Sequence, residues 1–138
     1  MEKYRFLEHT ADALFEAFGE SFEELLVNSA KAMCSVMYEL EKVEPKEKIL
    51  VKAEGKNKEE LLHNFLGAVL FEIQSNEMIF RNFKILALSD ESAEIELQGE
   101  KIDREKHELK SEIKAITWHE FSVKKEGNKW AAKVLVDV

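Results

Sequence analysis

The chain has one cysteine and one proline, and in its 138 residues only five glycines, three arginines and four aspartates. With a single thiol, Cys34, no intrachain disulfide forms and zinc or redox chemistry lacks partners. Cys34 falls inside a helical pattern, where a small buried hydrophobe is the expected role. None of the glycines stands in the spacing of a loop that cradles nucleotide phosphates. No apolar stretch approaches the roughly 18 residues of a membrane span, and nothing resembles a secretory signal, so a cytoplasmic location is expected. The lone Pro45 lies between a helical and a strand pattern, and there is neither an internal repeat nor a linker. One domain over residues 1–138 follows.

What is abundant is charge of one sign. The net charge is −8, which argues against a protein that grips nucleic acid by bulk electrostatics, because phosphate neutralisation needs clustered Lys and Arg. An RNA-linked role would run through a partner. Almost all the acid is Glu, and the four aspartates stand at 12, 90, 103 and 137. Asp90, in "SDES", and Asp103, in a charged segment, suit turns. Asp12 directly follows "HTA", between two strand-like runs, and Asp137 is set in the last apolar run.

The patterns predict α+β architecture with a mostly antiparallel sheet packed against two helices. "YRFL" and "ALFEAF" read as short strands. Ser21 and Glu24 form a capping box for a helix whose stripe is Phe22, Leu25, Leu26, Ser29, Ala30, Met33 and Met37. "EKILVKAEG" is a strand, and Asn57 with Glu60 caps a second helix that is apolar on more than one face. "MIFRNFKILALS" and "SAEIELQGE" are strands around the "SDES" turn. Residues 99–112 carry charge without period and read as a loop.

The end of the chain reads as a long hairpin turning at Gly127-Asn128. Continuous pairing sets Phe121 against Val134, His119 against Val136 and Trp118 against Asp137. One face then carries Phe121, Val123, Ala132, Val134 and Val136, with His119 as a core histidine. The other carries Lys114, Trp118, Glu120, Lys133 and Asp137.

"HTAD", "GEKIDREKHELKSEIKAITWHEF" and the closing "VLVDV" resemble the archease family, small proteins that assist the RtcB-type RNA ligase in tRNA splicing. The resemblance runs in order along essentially the whole chain, with Trp118 where the family often has Tyr. It implies a divalent-cation site built from Asp12 and Asp137, and a lysine needed for ligase activation at Lys114. Two carboxylates distant in sequence repel when they meet, and a hard cation removes that cost. Calcium is the first expectation, with magnesium or manganese as alternatives. The terminal carboxylate of Val138 is a further candidate donor, and His9 a candidate to orient Asp12 by a hydrogen bond. By pattern alone, Asp12 also suits a turn or cap and Asp137 a solvated strand end.

The resemblance thus implies a non-enzymatic accessory that binds the ligase and promotes its GTP-dependent guanylylation and multiple turnover, without strong nucleic-acid binding of its own. Two other readings remain open: a general chaperone or scaffold that needs no metal, and a small metal-dependent hydrolase. His9, His63, His107 and His119 show no paired metal-ligand spacing. His63 is expected on a helix surface and His107 in the charged loop.

Overall fold

The computed structural model describes residues 2–8 and 12–138. Eight strands and two α-helices follow in the order β1 (Tyr4–Leu7), β2 (Asp12–Gly19), α1 (Phe22–Met37), β3 (Glu47–Glu54), α2 (Lys58–Asn76), β4 (Met78–Leu88), β5 (Ser92–Lys101), β6 (Ala115–Ile116), β7 (Ser122–Glu126) and β8 (Lys129–Asp137). A 3₁₀ turn at Leu40–Lys42 leads from α1 towards β3. The strands form two sheets. In the first, β8 pairs with β2 on one side and with β6 and β7 on the other, and β1 flanks β2. The second has the order β3-β5-β4. All the pairings are antiparallel.

Both helices begin as their caps dictate. The Ser21 hydroxyl accepts from the Glu24 N–H at 3.0 Å, and the Asn57 side chain accepts from the Glu60 N–H at 2.9 Å. Glu60 answers by accepting the Lys56 N–H at 3.3 Å, which satisfies donors that a helix start leaves open. The α1 stripe is buried, Cys34 with it. Each helix touches strands of both sheets: α1 packs on β2, β8 and β4, and α2 on β3, β4, β5, β6 and β7. A helix that serves two sheets needs apolar residues on more than one face, which explains the broad pattern of α2. One continuous core results, with Phe15, Leu25, Phe65, Phe80 and Val134 at its centre. No helix among the described residues is long and apolar enough to cross a membrane.

The closing hairpin turns at Gly127-Asn128, with Glu126 opposite Lys129 and Ser122 opposite Lys133. Gly127 has φ +60°, the left-handed conformation for which glycine carries no side-chain penalty. Beyond Ser122 the expected ladder fails. Residues 118–121 leave it in a turn closed by the Phe121 N–H on the Trp118 carbonyl at 3.2 Å, with Glu120 at φ +55°, while Thr117 still donates its N–H to the Leu135 carbonyl of β8 at 3.0 Å. Pairing resumes in β6, where Ile116 meets Val136 and Ala115 meets Asp137. Trp118 therefore does not face Asp137, and His119 does not meet Val136. His119 is exposed rather than a core histidine. Packing explains the excursion: Trp118 lies flat on His63 of α2 with ring centroids 3.8 Å apart, and Phe121 meets both rings edge-on. Those contacts are open only to a segment that leaves the sheet.

Candidate functional site

Along β2 the residues Phe15 and Ala17 enter the core, as do Ala132, Val134 and Val136 of β8. Alternation sends their neighbours to the open face of the first sheet. The rows on that face pair Asp12 with Asp137, Leu14 with Leu135, Glu16 with Lys133 and Phe18 with Ala131. The two aspartates of the terminal motifs are thus direct cross-strand neighbours. Residues so paired have Cβ atoms about 4.5–5.5 Å apart, and like charges there are destabilising. β8 is a central strand, where Asp is disfavoured as well. Both aspartates are half-buried.

On its other side Asp137 pairs with Ala115. The preceding residue, Lys114, donates its backbone N–H to the Asp137 carbonyl at 2.7 Å, and its side chain is exposed. Lys114 thus adjoins the aspartate pair, although Ala115 rather than Lys114 holds the paired position on the ladder. Val138 follows at once, half-buried with its side chain against the core. His9 lies outside the described residues.

The other histidines stand apart from this pair. His63 is half-buried beneath Trp118. Burial holds its imidazole below the ordinary value, only partly offset by the backbone of Ile116 and Thr117. His107 is in the charged loop as its sequence suggests, yet buried.

A polar centre around Glu100 leaves only a faint trace in the sequence. Glu100 is 5% exposed and gathers the backbone N–H of Glu44 at 2.7 Å, the Lys106 ammonium at 2.9 Å and His107 Nε2 at 2.9 Å. The Asp103 N–H donates to His107 Nδ1 at 2.9 Å, so Nε2 carries the proton given to Glu100. Burial alone would push the carboxyl up. The Glu44 N–H, Lys106 and His107 outweigh it and hold Glu100 at about 2. Asp103 serves a turn, accepting the Glu105 N–H at 3.0 Å. This centre pins the start of the segment that ends at Lys114. The one trace of it in the sequence is an acid at an inward-facing strand end, seven residues before a histidine.

Fold and site together define a small α+β protein that gathers acidic and basic side chains on one open sheet face. The model described as "Archease protein family (MTH1598/TM1083)" matches residues 4–138, and the chain belongs to the archease family. Protein archease of Methanopyrus kandleri is 36% identical over 135 residues, 96% of each chain, and that of Pyrococcus abyssi is 36% identical over 142 residues, covering both chains completely. Among solved structures, protein 1598 of Methanobacterium thermoautotrophicum superposes with a TM-score of 0.83 at 33% identity over the whole of both chains. An archease of Thermotoga maritima, described as a possible chaperone, gives 0.65 at 25% identity over 96% of this chain and 94% of its own. Family members are non-catalytic accessory proteins, which sets aside the hydrolase reading.

Proposed function

We propose that this protein activates an RtcB-type RNA ligase in tRNA splicing, promoting guanylylation by GTP and repeated turnover, through a divalent-cation site formed by Asp12 and Asp137. Family membership supports a general role in tRNA processing beside an RNA ligase. The observation that carries the finer reading is the cross-strand pairing of Asp12 with Asp137. The donor chemistry fits: two carboxylates side by side suit a hard cation such as calcium, magnesium or manganese. Among the described residues no group of three or more His, Cys, Asp or Glu surrounds the pair. Backbone or terminal oxygens and water would complete the shell. Where Val138 is the chain terminus its carboxylate supplies one of them, and appending residues should then weaken cation affinity. The cation would draw the two strand ends together and neutralise their repulsion.

Lys114 is the group that meets the ligase. The residue is exposed and its backbone is hydrogen-bonded to Asp137, which supports a reading in which its flexible ammonium contacts a phosphate or carboxylate of the partner. The covalent chemistry and the GTP belong to the ligase. The experiment is formation of the covalent guanylyl-ligase from labelled GTP, with and without this protein. Asp12→Ala, Asp137→Ala and Lys114→Ala should each fold normally by circular dichroism. Each should lose at least about tenfold of the activation, the equivalent of ~1.4 kcal/mol. Full activation by folded aspartate variants would instead favour a metal-independent chaperone or scaffold.

A further inference from the structure

The open face that carries the aspartates continues to the β7–β8 hairpin, and its charge changes sign on the way. Within Ser122–Lys133 stand Lys124, Lys125, Lys129 and Lys133 against the single acid Glu126, in a chain of net charge −8. Register places one lysine on the open face in each of three successive rows: Lys133 beside Ser122, Lys124 beside Ala131, and Lys129 beside Glu126. Rows two residues apart are spaced by about 7 Å. Together they line a groove of about 390 Å³ floored by Phe18, whose ring Lys129 covers at 4.8 Å. No ion pair among the described residues holds Lys124, Lys129 or Lys133. Glu16, the other acid of the groove, is already engaged by Arg5 at 3.1 Å.

We propose that this groove is a track for the phosphodiester backbone of an RNA strand. The inference rests on the reading of the chain as an RNA-ligase accessory, and it adds a direct contact to the RNA. Three observations select the occupant. The free polar side chains facing the groove are chiefly donors, three ammoniums and the Ser122 hydroxyl, which match a ligand that brings acceptors alone. They recur at a regular interval, as the charges of an extended nucleic-acid strand do. The groove lies on the face of the sheet across β2, β8 and β7, not along the outer edge of β7, which pairs with β8 alone, so a peptide seated in the groove could not extend the ladder. Its own N–H and C=O groups would be desolvated without partners. The overall negative charge keeps such binding weak and local. It would guide RNA held by the ligase, and the row of Asp12 and Asp137 lies four residues along β8 from Lys133, about 13 Å away.

The test titrates the full-length ¹⁵N-labelled protein at low salt with a short oligouridylate and follows the amide resonances. The expected result is saturable shifts confined to Ser122–Lys133 and the facing part of β2. The combined variant Lys124→Gln, Lys129→Gln, Lys133→Gln should lose at least about tenfold in affinity, and its log-log salt slope should fall by ~0.7 for each phosphate that is no longer neutralised. The variant Lys48→Gln, Lys52→Gln, Lys84→Gln makes the same charge change on the open face of the second sheet and should bind as the parent does. Absent or scattered shifts, or equal loss in both variants, overturn the proposal, as do matching shifts from oligoglutamate. Ligase guanylylation without RNA should be unaffected by the hairpin substitutions. Its loss would mean that the hairpin docks the ligase, which also overturns the RNA assignment while leaving ligase activation standing.

Discussion

Glu100 has the most heavily engaged carboxylate described in the molecule, and its charge state ties stability to pH. Its folded pKa of about 2 lies below the ordinary 4.5. For an acid whose folded value is depressed, the unfolded chain binds protons first as pH falls. The stabilisation is therefore complete above about 4.5 and drains away towards about 2. Glu100→Gln removes the titrating group and keeps the shape. Denaturant titrations from neutral pH into this range should show the variant less stable than the parent near neutrality, with the gap narrowing steadily as the acid limb is descended. A gap that does not change with pH would mean that the carboxylate is not held in this way. The family resemblance singled out Asp12, Asp137 and Lys114 through its motifs, and nothing in the sequence patterns picked out Glu100 among 24 glutamates. Only burial distinguishes it from the others, and burial is a property of the surroundings.

At the scale of elements, capping residues, hairpin turns and alternation were legible because each is a local matter of spacing and backbone preference. The β4–β5 pair shows where locality ends. Its register shifts between Phe80 and Asn82, opposite Gly99 and Gln98. At that bulge a Cβ on Gly99 would collide with the carbonyl oxygen of Ile79. Gly99 is thus needed for close approach of two backbones, and the next residue is Glu100. Gly99→Ala should cost about 3 kcal/mol, the upper range for overpacking, seen as a lowered urea midpoint with weakened amide protection along β4. The break at 118–121 has the same origin. Its apolar alternation suits a continuous strand, but stacking of Trp118 on His63, from an element far back along the chain, wins over the ladder.

For the molecule as a whole, β8 is the organising strand, bound by β2, β6 and β7. It brings the two ends of the chain together, so an ion shared by Asp12 and Asp137 would act as a clasp on the folded state. A ligand bound only by the native form adds RT ln(1 + [L]/Kd), or about 2.7 kcal/mol at a hundred times Kd. Calcium should therefore raise the thermal midpoint by several degrees and a chelator should reverse the rise. Asp137→Ala should respond to neither. A midpoint indifferent to calcium, magnesium and manganese in the parent would count against a cation site at this pair.

By itself the sequence determined the α+β class, the two capped helices, most of the strands, and the aspartates that open and close the chain. These follow from periodicities and caps that act within a few residues. Tertiary structure alone decided that Asp12 lies opposite Asp137, that Lys114 reaches that pair through its backbone, and that Glu100 and His107 are buried partners. It also set the free lysines of the hairpin in a row beyond the carboxylates. Each of these is a contact between segments remote along the chain, chosen by the packing of one shared core, and no local preference encodes it.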